Sequence, residues 1–223
     1  MTRTPALRLC LSAAVLAATL PLAARAEVEL SVYGGWQTAP HSDVAIRGDG
    51  ALPDQDFTAR WQGRSFEAPP YYGLRATWWQ DQSLGYGVDF THAKIYAHED
   101  TLAAAGLDHL EFSDGINYLT ANVYYRWQDA LMGRATPYVG GGLGVAIPHV
   151  EVRGNGSETW GYQVTGPAVA LMAGVTYPIN DNWSVFGEYK GVYSENTADL
   201  EEGGTLSTDV VTNALNVGVS FNF

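Results

Sequence analysis

The feature that most constrains this chain is its last stretch, Thr205 to Phe223, TLSTDVVTNALNVGVSFNF. Counting back from Phe223, every second residue is apolar (Phe221, Val219, Val217, Leu215, Val211), apart from Asn213. The residues between them, Asn222, Ser220, Gly218, Asn216, Ala214 and Thr212, are small or polar. Such a two-residue period describes a strand with two unlike faces. An apolar-out, polar-in strand that runs up to a terminal aromatic resembles the closing strand of a bacterial outer-membrane barrel. The expected fold is therefore all-β: an eight-stranded antiparallel up-and-down transmembrane β-barrel of the outer-membrane type.

The beginning of the chain agrees with export. Arg3 and Arg8 give a positive start, Leu9 to Leu22 an apolar run, and Ala24-Arg25-Ala26 a small-x-small cleavage site, so residues 1–26 are expected to be a removed signal peptide. Residues 27–223 are then one barrel domain. Cys10, which lacks the small preceding residues of a lipoprotein signal, is the chain's one cysteine, so the mature part has no disulfide and no thiolate metal ligand.

Removing the signal takes away Arg3, Arg8 and Arg25 and no acid, so nine basic residues face 24 acidic ones and the net charge moves from −12 to −15. A chain this acidic does not suit nucleic acid, whose phosphates demand basic surfaces. After residue 26 no run of 18 apolar residues offers a transmembrane helix. The 27 aromatic residues and 25 glycines fall instead into alternating segments, as strands between lipid and a narrow lumen require. A soluble eight-stranded barrel, with its apolar face inside, is the competing architecture.

In chain order, strands are expected at 28–39, 71–79, 84–96, 116–127, 137–152, 160–177, 183–194 and 205–223. They leave three short turns on one side and longer loops on the other, the asymmetry of outer-membrane barrels. The segment 40–69 reads as an outer loop with strand-like arms, and 98–112 as a loop with a helical turn at 101–105. His92-Ala93-Lys94 would put two polar residues on the lipid face, so either a bulge shifts the register there or the strand has left the membrane. The GGGLG run in the fifth strand lacks the helix and Lys-Ser/Thr of a phosphate cradle.

Inside, the charged residues are Glu29, Arg75, Asp89, Arg126, Glu188 and Lys190, three of each sign. Eight strands enclose just enough space for side chains, so these are expected to form a salt-bridged plug and not a diffusion channel. Outside, segments 40–69, 97–114, 150–158 and 195–206 hold 16 acids against four basic residues. Next to anionic lipopolysaccharide they would repel it unless divalent cations bridge them, and a solvated rim is the default reading for most of these residues.

His41, His92 and His149 lie at the outward ends of the first, third and fifth strands. With Glu67 they offer several imidazoles and a carboxylate, a set suited to iron or another transition metal if they converge at the mouth; scattered rim histidines are the alternative. A lipid deacylase is disfavoured, because no His-x-Ser occurs and the adjacent His41 and Ser42 point to opposite faces of a strand.

The stretches SVYGGWQTAPHSDV, RWQGRSFEAPPYYGLRATWW, FTHAKIYA, LEFSDGIN and GGGLGVAIPHVEV resemble those of proteobacterial lipid A oxidases, OmpA-like barrels of the outer membrane. This resemblance implies oxygen-dependent oxidation of the proximal glucosamine of lipid A to 2-aminogluconate at the outer face. It supplies no catalytic residues. Expected partners are outer-membrane lipid, lipopolysaccharide, and the barrel-assembly machinery through the strand ending in Phe223. A redox centre is needed for such chemistry, and with no Rossmann motif or cysteine cluster a rim metal would supply it. The alternative is a non-catalytic barrel with an envelope-structural or surface-binding role.

Overall fold

The computed structural model describes residues 27–223, with backbone only at positions 113 and 114; the signal peptide expected at 1–26 lies outside the described residues. The elements are β1 (Glu27–Thr38), β2 (Ser42–Arg47), β3 (Gln55–Ala59), β4 (Trp61–Gln62), β5 (Tyr72–Trp79), β6 (Leu84–Ala97), α1 (Glu99–Ala105), β7 (His109–Arg126), β8 (Thr136–Gly154), β9 (Ser157–Tyr162), β10 (Gly166–Pro178), β11 (Trp183–Asp199) and β12 (Thr205–Asn222). Eight of them, β1-β5-β6-β7-β8-β10-β11-β12, follow one another antiparallel, and β12 pairs back onto β1 from Thr38↔Asn213 to Glu29↔Asn222. Closure removes both sheet edges, which a bilayer requires.

Extra pairing extends the barrel beyond the outer end. The segment expected as a loop at 40–69 contains a β2–β3 hairpin added to β12, and β4 pairs with β6. The region expected as one sixth strand divides at Gln163–Thr165 into β9, which stays with β8, and β10, which enters the ring. The short turns at the other end are tied by side chains: Asp81 Oδ1 accepts from the Ser83 and Leu84 amides at 2.7 Å each, and Asn180 Oδ1 does the same for Asn182 and Trp183 at 3.0 and 2.9 Å.

Polarity inverts along the strands. In the lower part of β12 the outward residues are Val217 and Leu215, 71% and 58% exposed, and the buried inward ones are Ser220, Asn216 and Thr212. Past Val211 the pattern reverses, with Val210 and Leu206 buried and Asp209 outward and exposed. Lipid bathes the lower wall and water the upper wall, so apolar surface is outside below and inside above. Leu110, Phe112, Ile116, Val150, Val152 and Ile46 form part of the apolar core that fills the upper interior. Both expected polarities thus occur in one barrel. Asn213, the polar break on the lipid face, accepts a hydrogen bond from the Tyr189 hydroxyl on the neighbouring strand.

The lower lumen is polar and charged. Arg75 binds Asp89 (Nε–Oδ2 2.7 Å) and Glu188 (Nη1–Oε2 2.8 Å), while Lys190 reaches Asp89 and the Tyr33 hydroxyl. Tyr138 and Asn216 donate to Glu188 as well, at 2.8 and 3.1 Å. Arg126 pairs with Glu27 (2.8 Å), not Glu29, and packs over the Trp79 ring at 3.8 Å. Glu29 accepts from Ser31 Oγ at 3.3 Å and lines a cavity of about 220 Å³ with Arg75, Arg126 and Tyr124. Among the described residues its carboxylate has no ion pair.

Candidate functional site

Residues directly opposite on antiparallel strands share a face, so the register locates each side chain on the wall. Phe90, Leu119 and Val145 lie in one row across β6, β7 and β8, and Leu119 and Val145 are exposed to lipid. The row above is His92, Asn117 and Ile147. Further out come His149 opposite Tyr162, then Tyr96, Glu111, Glu151 and Trp160 in one row, then His109, Arg153 and Glu158. A ladder of polar and aromatic groups therefore climbs the outer wall directly from the lipid-facing band.

The chain leaves regular pairing between these rows. β6 shifts register between Ala93 and Ile95, and β7 between Glu111 and Ile116. Bulges of this kind re-aim side chains next to functional sites. Of the two alternatives for His92-Ala93-Lys94 the bulge is present, and the strand continues to Ala97.

Although this wall faces outward, its polar groups are withdrawn from solvent. His92 is 5% exposed, His149 2%, Lys94 0% and Glu111 8%. Tyr72 stacks on the His92 ring at 5.2 Å, and the Trp160 and Tyr162 rings meet His149 edge-on at 4.7 and 4.8 Å. Lys94 Nζ donates to the Glu67 carbonyl at 3.2 Å, placing the 63–71 segment over it. His92 Nδ1 lies 2.9 Å from Asn117 Oδ1, and the Asn117 amide is oriented by its own bond to the Ile147 carbonyl at 3.3 Å. An amide oxygen only accepts, so the neutral imidazole carries its proton on Nδ1 and its lone pair on Nε2.

A second cluster stands just above. His109 Nε2 is 2.9 Å from Glu111 Oε2 and 3.6 Å from Glu151 Oε1, and one ligand atom from each of the three residues falls within 4.8 Å of the others. Arg153 Nη2 contacts Glu151 Oε1 at 3.0 Å.

The four residues expected to hold a metal separate. His92 and His149 do share one wall, on the strands flanking β7. His41 is exposed in the link between β1 and β2, and the exposed Glu67 directs its carboxylate to Arg64 at 3.6 Å. Among the described residues the three-ligand group is His109, Glu111 and Glu151, not the expected set. The physical reason is the register: the β6 and β8 histidines occupy outward positions and face the barrel's surroundings, so they do not meet across the mouth. His109 and Glu111 lie on β7, within the segment 98–112 that the sequence presents as a loop. The alternation His109-Leu110-Glu111-Phe112, polar and apolar in turn, is the strand signal that marks them.

Comparison with known proteins agrees with the architecture. No curated protein sequence matches the chain at a significant level. The outer membrane protein AlkL, solved in DMPC bilayers, is 14% identical over 89% of this chain and 90% of its own, with a TM-score of 0.52. Neisserial surface protein A is 16% identical over 88% and 96%, TM-score 0.48, and Ail of Yersinia pestis 13% identical over 89% and 99%, TM-score 0.43. The family model described as the outer membrane protein beta-barrel domain matches residues 9–223. With its closed eight-stranded ring, the chain belongs to that outer-membrane β-barrel family and is a protein of the bacterial outer membrane.

Proposed function

We propose that this barrel modifies lipid A at the outer leaflet, as an oxygen-dependent oxidase of its proximal glucosamine. The observation that carries the reading is the withdrawn pair His92 and His149 on the outer wall, one and two steps above the lipid-facing row. That is the depth at which acyl chains give way to the sugar headgroup. Buried ionisable groups on a membrane-facing wall are costly and mark functional sites. Trp160 and Tyr162, 66% and 58% exposed beside His149, offer ring faces to a saccharide at the interface. The resemblance to lipid A oxidases supplies the reaction.

In that reaction C1 of the sugar hemiacetal loses two electrons and two protons, dioxygen accepts them, and water opens the resulting lactone to the acid. His92, oriented by Asn117, is the imidazole assigned to exchange a proton with the sugar hydroxyl in this reading. The test is mass spectrometry of lipid A from cells carrying wild type, His92→Ala, His149→Ala or no gene. Gene-dependent oxidised product that falls in both variants is expected; a product undiminished in both removes the pair from the mechanism.

A non-catalytic barrel is the second reading, favoured by the fully engaged Arg75–Asp89–Glu188–Lys190 lumen, which gives the barrel a structural core but no pore. Lipid A identical with and without the gene would select it.

A further inference from the structure

We infer that His109, Glu111 and Glu151 form a binding site for a divalent transition-metal ion on the outer wall of the barrel. The assignment stands on this cluster and does not depend on the lipid A reading.

Geometry comes first. Ions bound at about 2.0–2.2 Å by nitrogen and oxygen hold neighbouring ligand atoms roughly 2.9–3.6 Å apart. The separations of His109 Nε2 from the two carboxylate oxygens are 2.9 and 3.6 Å. His109 and Glu111 are two residues apart on β7, which puts both on one face, and Glu151 is directly opposite Glu111 on β8. All three ligands are thus fixed by paired backbone and need no loop to move.

Charge comes second. Two carboxylates directly opposite on adjacent strands repel, and Glu111 is 8% exposed, too little for water to screen it. Arg153 contacts Glu151 but also lies 3.9 Å from Glu158, so one guanidinium serves two of three acids. A divalent cation between Glu111 and Glu151 would relieve that repulsion.

The third observation is independent of both. His109 Nε2 is buried and makes no hydrogen bond among the described residues, although Glu111 Oε2 is 2.9 Å away. The nitrogen and oxygen are close but misaligned for sharing a proton, as two ligands of a common ion are. The imidazole selects a borderline ion such as zinc, cobalt or iron(II) over calcium and magnesium, and three protein ligands leave open positions for exchangeable water or a headgroup oxygen.

The experiment titrates cobalt(II) into refolded, chelator-stripped full barrel in detergent, reading visible ligand-field absorption, with zinc as competitor and magnesium as control. One cobalt per chain, displaced by zinc and not by magnesium, is expected. His109→Ala and Glu111→Gln should each weaken binding by more than about tenfold, the loss that even a supporting group produces. His41→Ala should leave it unchanged, since His41 is exposed in the β1–β2 link. Heat-modifiable gel mobility reports folding, and Glu151→Gln replaces any variant that fails it. Absence of stoichiometric cobalt on wild type, or wild-type affinity in folded His109→Ala, overturns the assignment.

Discussion

Arg75 on β5 and Glu188 on β11 meet across the lumen through two parallel hydrogen bonds, Nη1–Oε2 at 2.8 Å and Nη2–Oε1 at 2.9 Å. The two strands are not neighbours in the ring, so this pair braces the wall from inside. Both groups are buried, and Asp89 and Lys190 complete the set. Removing one partner leaves an uncompensated buried charge, so Arg75→Ala is expected to lower stability by about 3–5 kcal/mol. The urea midpoint of the barrel in detergent micelles measures it. A loss under about 1 kcal/mol would mean that lumen water replaces the guanidinium, and the brace would then be dispensable.

Asp81 makes a pH-dependent contribution at the other end. The amides of Ser83 and Leu84 donate to its carboxylate and hold its pKa below the usual range. A carboxyl whose pKa is depressed by folding stabilises the folded state above its unfolded value, about 3.9, and that contribution disappears as pH falls through the folded value. Asp81→Asn keeps an acceptor oxygen without a charge. Its unfolding free energy should therefore decline less than that of wild type between about pH 5 and the acid limit, and the curves should converge at the lowest pH. Parallel curves across the range would deny the turn this role.

The eight ring strands, their facing and the lumen charges are legible in the sequence, because each residue of a membrane strand meets either lipid or a filled lumen, and a period of two records that choice. Val217 against Asn216, or Tyr189 against Glu188, needs no partner to be read. What the sequence hides is the change of solvent. Beyond Val211 on β12, and beyond His92 on β6, the same alternation continues with its meaning reversed, so Val210 and Ile95 turn inward while Asp209 turns out. The β2–β3 hairpin is hidden because short strands that pair with distant β12 have no local signature beyond their turn. The site is half legible: His92 and His149 are visible as polar breaks, but their common wall and the Glu111–Glu151 pairing depend on bulged registers that only the folded sheet defines.

Those bulges make a last prediction possible. Gly115 in the β7 bulge has φ +97°, and a Cβ added there would lie 2.2 Å from His92 Cε1 and 2.3 Å from Nδ1. The ring cannot retreat freely, because Tyr72 stacks on it and Asn117 holds Nδ1. Gly115→Ala should therefore push His92 out of line with Asn117, besides a backbone cost of about 1–3 kcal/mol. Gly156, between β8 and β9, has φ +83°, and a Cβ added to it would meet nothing within 4 Å, so Gly156→Ala carries a similar backbone cost without touching the ring. Both variants should lose stability in urea, Gly115→Ala the more because of its added clash, yet only Gly115→Ala should lower oxidised lipid A to the level of His92→Ala. If both retain full product, the alignment of His92 by Asn117 has no part in the chemistry; if both lose it equally, general destabilisation and not ring placement accounts for the loss.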